Sequence, residues 1–347
     1  MSTTLPHYNK IFKELWHQSD AKRRHQNQIY QPCALQRPYC PKNGWPVKLP
    51  DLPAVDNPTD IVVIIHFQDS LTYHDRFCVE IKKVEDHYST HLHHNIVVIV
   101  EDIGLLNYYT GNLHVIWFPT FIYETMSQMQ NTQHIWGTYI NAEPKKNWQC
   151  LNGIPKPWRK DVAYYLQKNF DNGILSLANI IPLKTHAYDD VYHGKGNDNP
   201  DNFLMLDWVY KDCALNIVCE TIYDAPCGIL TEKTLFAFLA GQVPITIAHQ
   251  GYVKELIDMG FDMFTDIVNT SFDRLPDHTR WRAAIDLNAE LLNSEVKRAD
   301  HMERLLYNQN HALHTLGANC IEHYITQMHS FGFSNRDLKT LLGYGTS

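Results

Sequence analysis

The sequence lacks the features that define several large classes of protein. Its longest apolar runs, such as residues 61–65 and 96–100, are far shorter than the ~20 residues of a membrane-spanning helix, and its polar start contains no signal-peptide core. Lys and Arg total 30 against 38 Asp and Glu, so the net charge is -8 and no overall positive field gathers polyanions nonspecifically. The eight cysteines show no C-x-x-C spacing, which predicts reduced thiols and no disulfide framework. We therefore expect a cytoplasmic protein with no membrane partner.

Several catalytic signatures are absent as well. The chain contains no H-E-x-x-H, G-x-S-x-G or G-x-x-x-x-G-K motif and no complete G-x-G-x-x-G motif. These absences argue against zinc peptidases, serine hydrolases, P-loop proteins and ordinary dinucleotide enzymes. No D-x-D motif occurs either, so the usual carboxylate pair for a metal-bound nucleotide diphosphate is missing.

The chain does contain short apolar runs that alternate with helix-compatible sequence. With 347 residues, of which 44% are hydrophobic, it can form about two domains. The runs at 61–65, 96–100 and 114–118 are rich in β-branched residues, as is typical of parallel strands buried on both faces. We predict an α/β fold with two domains, residues 1–145 and residues 146–347, the second ending in a helical tail.

The second half repeats this alternation. The segment 142–157, with its short apolar stretch at 148–151, is assigned to the domain boundary. Beyond it the pattern predicts helices at 158–170, 203–213, 231–240 and 252–259, strands at 174–177, 215–219 and 243–247, and a helical tail from 281 to 331 with a break near Asn293.

The densest group of chemically useful residues lies around Thr231. Thr231 is a good N-cap, so Glu232 and Lys233 fall in the first turn of a helix whose free N–H groups and positive dipole end favour an anion. The Lys233 ammonium suits a phosphate or diphosphate, and the Glu232 carboxylate can accept hydrogen bonds from ribose or sugar hydroxyls. Ligands of open α/β sheets bind at the carboxyl ends of strands. The same spacing also fits a plain surface helix with a solvated lysine.

Three features of the sequence around Thr231 together resemble one known segment. They are the triplet Thr231-Glu232-Lys233, the Ala-Gly-Gln-Val-Pro-Ile that follows it at 240–245, and the strand before it, which ends in Glu220. The known segment is the donor-binding segment of alpha-1,3-fucosyltransferases and of phage-encoded glycosyltransferase-like proteins. Residues 251–273, 151–159 and 173–177 are similar to the phage group, so the resemblance covers patches between 151 and 273. It implies a GT-B glycosyltransferase, in which two Rossmann-like domains face a central cleft and the C-terminal domain binds the nucleotide-sugar donor.

The resemblance also implies roles for single residues. The glutamate matching Glu232 contacts the ribose or sugar of the donor, and the lysine matching Lys233 holds its diphosphate. Such enzymes often stabilise the departing diphosphate with helix dipoles and cations, which fits the missing D-x-D, so we expect a nucleotide-sugar co-substrate and neither a metal nor another cofactor. Arg159 opens a helix after a Pro-Lys-Pro turn and is either a second phosphate contact or an interdomain salt bridge. Glu220 either closes off the nucleotide or caps a strand end. The Thr-Ile-Tyr that follows it differs from the Asn-Ser usual in fucosyltransferases, which argues against a fucosyl donor.

An inverting transfer needs a base at the carboxyl end of a strand in the N-terminal domain. Asp69 follows the first predicted strand, and Glu101 and Asp102 follow the second. These are the candidates, whereas a retaining transfer needs no such base.

The function predicted from these residues is transfer of a hexosyl or pentosyl group from a nucleotide-sugar to a hydroxyl acceptor. One candidate acceptor is a 5-hydroxymethylpyrimidine in phage DNA, in the host cytoplasm, with the basic residues at 22–24 and 145–146 contacting the duplex. The other is a glycan or lipid-linked sugar, as for a fucosyltransferase-like enzyme. A non-catalytic sugar- or nucleotide-binding module is the alternative from another class.

Overall fold

The chain forms two compact units, which are described separately. The computed structural model describes residues 29–30, 61–66, 82, 85–86, 96–100, 111–117, 133–153, 155–177, 180–181, 207–223 and 230–332. Contacts between Cα atoms group Met1–Ser127 with Ala318–Ser347 as one unit and give Gln128–Gly317 as the other. This grouping differs from the division at residues 145 and 146, which stays a prediction.

The first unit contains a parallel four-stranded sheet in the order β1-β2-β3-β4. Its strands are β1 (Ile29–Tyr30), β2 (Ile61–His66), β3 (Ile96–Val100) and β4 (His114–Trp117). The three strands predicted from β-branched runs are therefore confirmed, and they lie side by side. Runs of this kind form parallel strands because their side chains pack on both faces of the sheet.

A helix at Leu316–Ser330 reaches the free side of β4. The Gln327 Oε1 accepts a hydrogen bond from the Trp117 backbone N–H, and its Nε2 donates to the Trp117 carbonyl, both at 3.2 Å. The His114 ring stacks on Phe331 with centroids 4.3 Å apart. The Gln327 side chain thus pairs with both backbone groups of Trp117. β4, to which Trp117 belongs, has one neighbouring strand among the described residues.

The second unit contains another parallel four-stranded sheet, in the order β6-β5-β7-β8. Its strands are β5 (Lys146–Asn152), β6 (Gly173–Leu177), β7 (Cys213–Cys219) and β8 (Val243–Ile247). Every residue of β7 and β8 is buried, so both strands belong to the core of this unit. The predicted α/β fold class is confirmed at this level.

Helices alternate with these strands and then continue to the end of the unit. They are α1 (Gln133–Ile140), α2 (Pro157–Asn169), α3 (Asp207–Asp212), α4 (Glu232–Leu239), α5 (Tyr252–Asp258), α6 (Asp277–Asp286), α7 (Ala289–Asn293) and α8 (Met302–Asn310). The helices predicted at 158–170, 231–240 and 252–259 are confirmed to within a residue at each end, and of the helix predicted at 203–213 the structure describes Asp207–Asp212. The tail has the predicted break, since α7 ends at Asn293, and a further interruption at residues 287–288. Within the described residues, no helix combines the length and the apolar character needed to cross a membrane.

Strand β5 is the element that the sequence pattern missed. It carries polar residues at Asn147 and Gln149, yet both side chains are buried. The Asn147 amide donates to the Leu291 carbonyl at 2.7 Å, and the Gln149 amide donates to Gln242 Oε1 at 2.9 Å. Both amides donate to partners far along the chain, although the Gln149 Oε1 is buried and accepts no hydrogen bond from the described residues. The polar composition therefore concealed an inner strand of the sheet.

Arg298 ties two helix ends together in the second unit. Its guanidinium is buried and donates to five backbone carbonyls at 2.5–3.1 Å. Two of these carbonyls, at Tyr139 and Ala142, lie at the end of α1, and the other three lie at residues 210, 211 and 213 around the end of α3. A cation at helix C-termini is favourable because the unpaired carbonyls carry partial negative charge. Burial lowers the pKa of Arg298 to about 10.

Candidate functional site

Two helices of the second unit begin at the same edge of the sheet. β5 and β7 are parallel neighbours, and α2 follows β5 while the next described helix after β7 is α4. The first turn of α4 is capped by Thr231, whose hydroxyl accepts a hydrogen bond from the Lys233 backbone N–H, so the predicted cap is confirmed. α2 begins with Pro157 at its first position, which suits a helix start because proline has no N–H to pair. The carboxyl edge of the sheet is where ligands of such folds bind.

Glu220 lies directly after β7 and is buried beneath the first turn of α4, with 1% of its surface exposed. Its Oε2 accepts hydrogen bonds from the Thr231 hydroxyl at 2.5 Å and the Thr221 backbone N–H at 3.2 Å. Its Oε1 accepts from the Thr234 hydroxyl at 2.5 Å and the Tyr252 hydroxyl at 3.0 Å. Both oxygens of the Glu220 carboxylate therefore accept hydrogen bonds from protein donors. These bonds connect the end of β7 to the starts of α4 and α5.

Tyr252 is the distant partner in this network. Its hydroxyl lies 3.1 Å from the Thr234 hydroxyl as well as within hydrogen-bond distance of Glu220. Burial raises the pKa of Tyr252 well above its usual value, and the charge of Glu220 raises it further. The phenol therefore keeps its proton and acts as a donor to the carboxylate.

Lys233 and Glu232 form the accessible part of the tip of α4. Their side chains are 27% and 31% exposed, and the Lys233 Nζ lies 2.5 Å from Glu232 Oε1. The same ammonium lies 3.3 Å from the Thr221 hydroxyl and 3.4 Å from the Thr231 hydroxyl. In the structure the Glu232 carboxylate is thus the anion at the helix tip, in the position that the positive end of the helix dipole favours.

The electrostatics of Glu232 reflect these neighbours. Burial on its own raises the pKa of Glu232, but the charge and hydrogen bond of Lys233, a backbone N–H and the charge of Arg159 outweigh it. The pKa of Glu232 consequently lies below its usual value. Two cations therefore act on this carboxylate, and an anionic ligand would meet the same cations.

Arg159 lies in the first turn of α2 and is 2% exposed. Its Nη2 donates to the carbonyls of Cys219 and Glu220 at 2.9 and 2.7 Å. These contacts tie the first turn of α2 to the end of β7 within the second unit. The structure thus brings together Arg159, Glu220, Thr231, Glu232 and Lys233, all five residues predicted to bind the donor.

Sequence reasoning did not single out several residues that complete this edge. Lys156, the N-cap residue of α2, donates from Nζ to the Thr221 carbonyl at 2.5 Å. Thr234 lies three positions after the cap, a spacing that places both hydroxyls on one side of the first turn and was a usable signal. The role of Tyr252 had no local signal, since it comes from another helix.

The helix that follows β8 begins differently. The carboxylate of Asp273 accepts hydrogen bonds from the backbone N–H groups of Val253 and Lys254 in the first turn of α5, at 3.0 and 3.3 Å. The positive end of α5 is therefore closed by an acidic residue of the same chain. At α4 the acidic residue of the first turn is Glu232, whose side chain is partly exposed.

Asp69 and Asp102, the predicted catalytic residues, lie outside the described residues, as does the alternative Glu101. Among the residues that the structure describes, no group of three or more His, Cys, Asp or Glu side chains is arranged to hold a metal ion. No family model, no curated protein and no solved structure matches the chain.

Proposed function

We propose that the protein is a glycosyltransferase that transfers a sugar from a nucleotide-sugar to a hydroxyl acceptor. The diphosphate of the donor binds at the first turn of α4, against Lys233, and the Glu232 carboxylate turns to a ribose or sugar hydroxyl. The observation that carries the proposal is the partly exposed Lys233 ammonium at a capped helix start, on the carboxyl edge of a parallel sheet. Arg159 in the neighbouring first turn adds positive charge to the same place.

The proposed chemistry places charge where this site can stabilise it. The bond between the anomeric carbon and the diphosphate oxygen breaks, the acceptor oxygen bonds to that carbon, and negative charge develops on the diphosphate. With Glu232 turned to a hydroxyl of the donor, Lys233 and the N–H groups of α4 stabilise that charge. In an inverting transfer Asp69 or Asp102 takes the proton of the acceptor hydroxyl. A GT-B arrangement of the two units belongs to the same proposal.

The acceptor divides the proposal into two versions. One is a 5-hydroxymethylpyrimidine in DNA, and the other is a hydroxyl of a glycan. Salt-sensitive binding of the chain to duplex DNA supports the first version, and indifference of the chain to DNA supports the second. The proposed location is the cytoplasm, where nucleotide-sugars are made.

Thermal melting with a panel of uridine, guanosine, cytidine and adenosine diphosphates tests the donor site. We expect at least one of them to raise the melting temperature, because a ligand that binds only the folded state stabilises it. Lys233→Ala should abolish this rise. The matched control is Lys254→Ala, since Lys254 is also a helical lysine beside a carboxylate but is 75% exposed on α5.

The outcomes separate the rival functions. Stabilisation that Lys233→Ala removes and Lys254→Ala keeps supports the proposal, and release of nucleoside diphosphate from a nucleotide-sugar then distinguishes an enzyme from a binding module. Absence of stabilisation by every diphosphate, or a shift that survives Lys233→Ala, would contradict the donor site.

A further inference from the structure

We propose that a cavity at the amino edge of the second sheet binds a small phosphate ester. The cavity has a volume of about 410 Å³ and is lined by residues 140–147, Asn172, residues 293–299 and Met302, all within the second unit. β5 begins beside it at Lys146 and runs to the carboxyl edge of the sheet, so the proposed donor site lies about 20 Å away, at the other end of the strand. The inference therefore concerns a second site and does not rest on the proposed function.

Two buried side chains hold the walls of this cavity in place. The Asn147 amide donates to the carbonyls of Leu291 and Leu292 at 2.7 and 2.9 Å. Its Oδ1 accepts a hydrogen bond from the Val296 backbone N–H at 3.2 Å. Arg298 donates to the carbonyls at the ends of α1 and α3. The segment between α7 and α8 is thus attached to β5 at one point and to two helix ends at another, and the cavity is preformed, as is usual for ligand sites.

The strongest support is the charge of Arg298, which is one of the lining residues. Arg298 is 3% exposed, so its guanidinium is almost fully withdrawn from water. Within the described residues no carboxylate forms an ion pair with Arg298, and its Nε–H is a buried donor without an acceptor. The charge of Asp212 raises the pKa of Arg298, but that carboxylate is ion-paired with Lys145 at 2.8 Å. A buried cation that has no ion-paired partner favours an anion nearby.

Exposed lysines add positive charge to the same lining. They are Lys145, Lys146 and Lys297, and among the described residues the last two have no ion-pair partner. The carboxylates of the lining are Glu143 and Glu295. The lining thus carries four cationic side chains against two carboxylates. A phosphoryl group suits this excess better than a carboxylate because it carries more charge and has three acceptor oxygens.

The size and polarity of the cavity indicate what else the ligand carries. Four further lining residues have exposed amide or hydroxyl side chains, namely Asn141, Asn172, Asn293 and Ser294. Such groups form hydrogen bonds with sugar hydroxyls. A phosphoryl group alone fills only a small part of about 410 Å³, so we infer a ligand with a hydroxylated body. A sugar phosphate combines both features.

Titration calorimetry with glucose 6-phosphate, at low ionic strength and in a buffer without phosphate, tests the inference. Lys146→Ala and Lys297→Ala should each weaken binding by about threefold, as expected for an exposed charge close to an anion. Glu295→Gln removes a like charge and should tighten binding by a similar factor. The matched control is Lys168→Ala, because Lys168 is an exposed lysine in the last turn of α2 that does not line the cavity. Glucose, which lacks the phosphoryl group, should not bind.

This pattern, with affinity unchanged in Lys168→Ala, supports the inference. The inference is overturned if glucose 6-phosphate does not bind at millimolar concentration, if glucose binds as well, or if the lining variants and Lys168→Ala behave alike. Loss of binding in Lys233→Ala would place the sugar phosphate at the donor site and overturn it too. The same holds if Lys146→Ala weakens binding of duplex DNA and leaves that of glucose 6-phosphate unchanged, because the lysines at 145–146 then serve the duplex.

Discussion

Replacing Tyr252 by phenylalanine should destabilise the second unit more than the loss of an ordinary tyrosine hydroxyl. Tyr252 is 2% exposed, and its hydroxyl donates to the Glu220 carboxylate at 3.0 Å. A hydrogen bond to a charged group contributes about 1.5–3 kcal/mol, because the carboxylate loses a donor that water cannot replace in a buried site. For a unit of the size of Gln128–Gly317, that loss lowers the melting temperature by about 3–12 °C.

The control for this prediction is Tyr307→Phe. Tyr307 is 52% exposed, and its hydroxyl donates to the neutral Gly260 carbonyl at 2.9 Å. Its loss should lower the melting temperature by less than half as much, since water can reach the carbonyl and the acceptor carries no charge. Differential scanning calorimetry of the three proteins gives both values. Equal effects of the two substitutions would refute the reading of Glu220 as a buried, charged centre of the network.

Three further predictions concern charge and burial at other residues of the chain. Because the folded pKa of Glu232 lies below its ordinary 4.5, its contribution to stability is present above that value and is lost as the pH falls through the folded pKa. The unmodified chain should therefore lose more stability than Glu232→Gln between about pH 6 and about pH 3 in denaturant titrations, and parallel curves would argue against the Lys233 pairing. Arg298→Met should lower the free energy of unfolding by more than about 3 kcal/mol, since it strips a donor from buried carbonyls, whereas substitution of an exposed arginine should have a much smaller effect. Burial raises the pKa of Cys213 and of Cys320 to about 12, so alkylation of these two thiols at about pH 8 should be slow in the folded protein and fast in denaturant. Peptide mapping of the labelled sites checks this, and rapid labelling of either thiol in the native chain would contradict its burial.

The strands that the sequence predicts are those whose signal is local. β2 and β3 contain continuous apolar runs, and such a run predicts a buried parallel strand without knowledge of its neighbours. β5 is different because the amide groups of its buried Asn147 and Gln149 donate to residues at 291 and 242, which lie far along the chain. No short window of sequence contains both a polar side chain of β5 and its partner. The sequence alone therefore predicts a domain boundary at this segment and not a strand.

The candidate site divides in the same way. The cap at Thr231 and the first-turn positions of Glu232 and Lys233 follow from a few adjacent residues, and the structure places them as the capping pattern predicts. The partners of Glu220 could not be predicted in this way, because Tyr252 belongs to the next helix, α5, and meets Glu220 only in the folded unit. Lys156 could be read as part of a Pro-Lys-Pro turn, but its reach to Thr221 depends on the alignment of β5 with β7.

A crystal structure of the chain with a bound nucleoside diphosphate tests the central claim most directly. The account predicts that a phosphoryl oxygen lies within hydrogen-bond distance of the Lys233 Nζ and of a backbone N–H in the first turn of α4, with the Glu232 carboxylate turned away. A diphosphate bound at another place, with Lys233 still paired to Glu232, would contradict it.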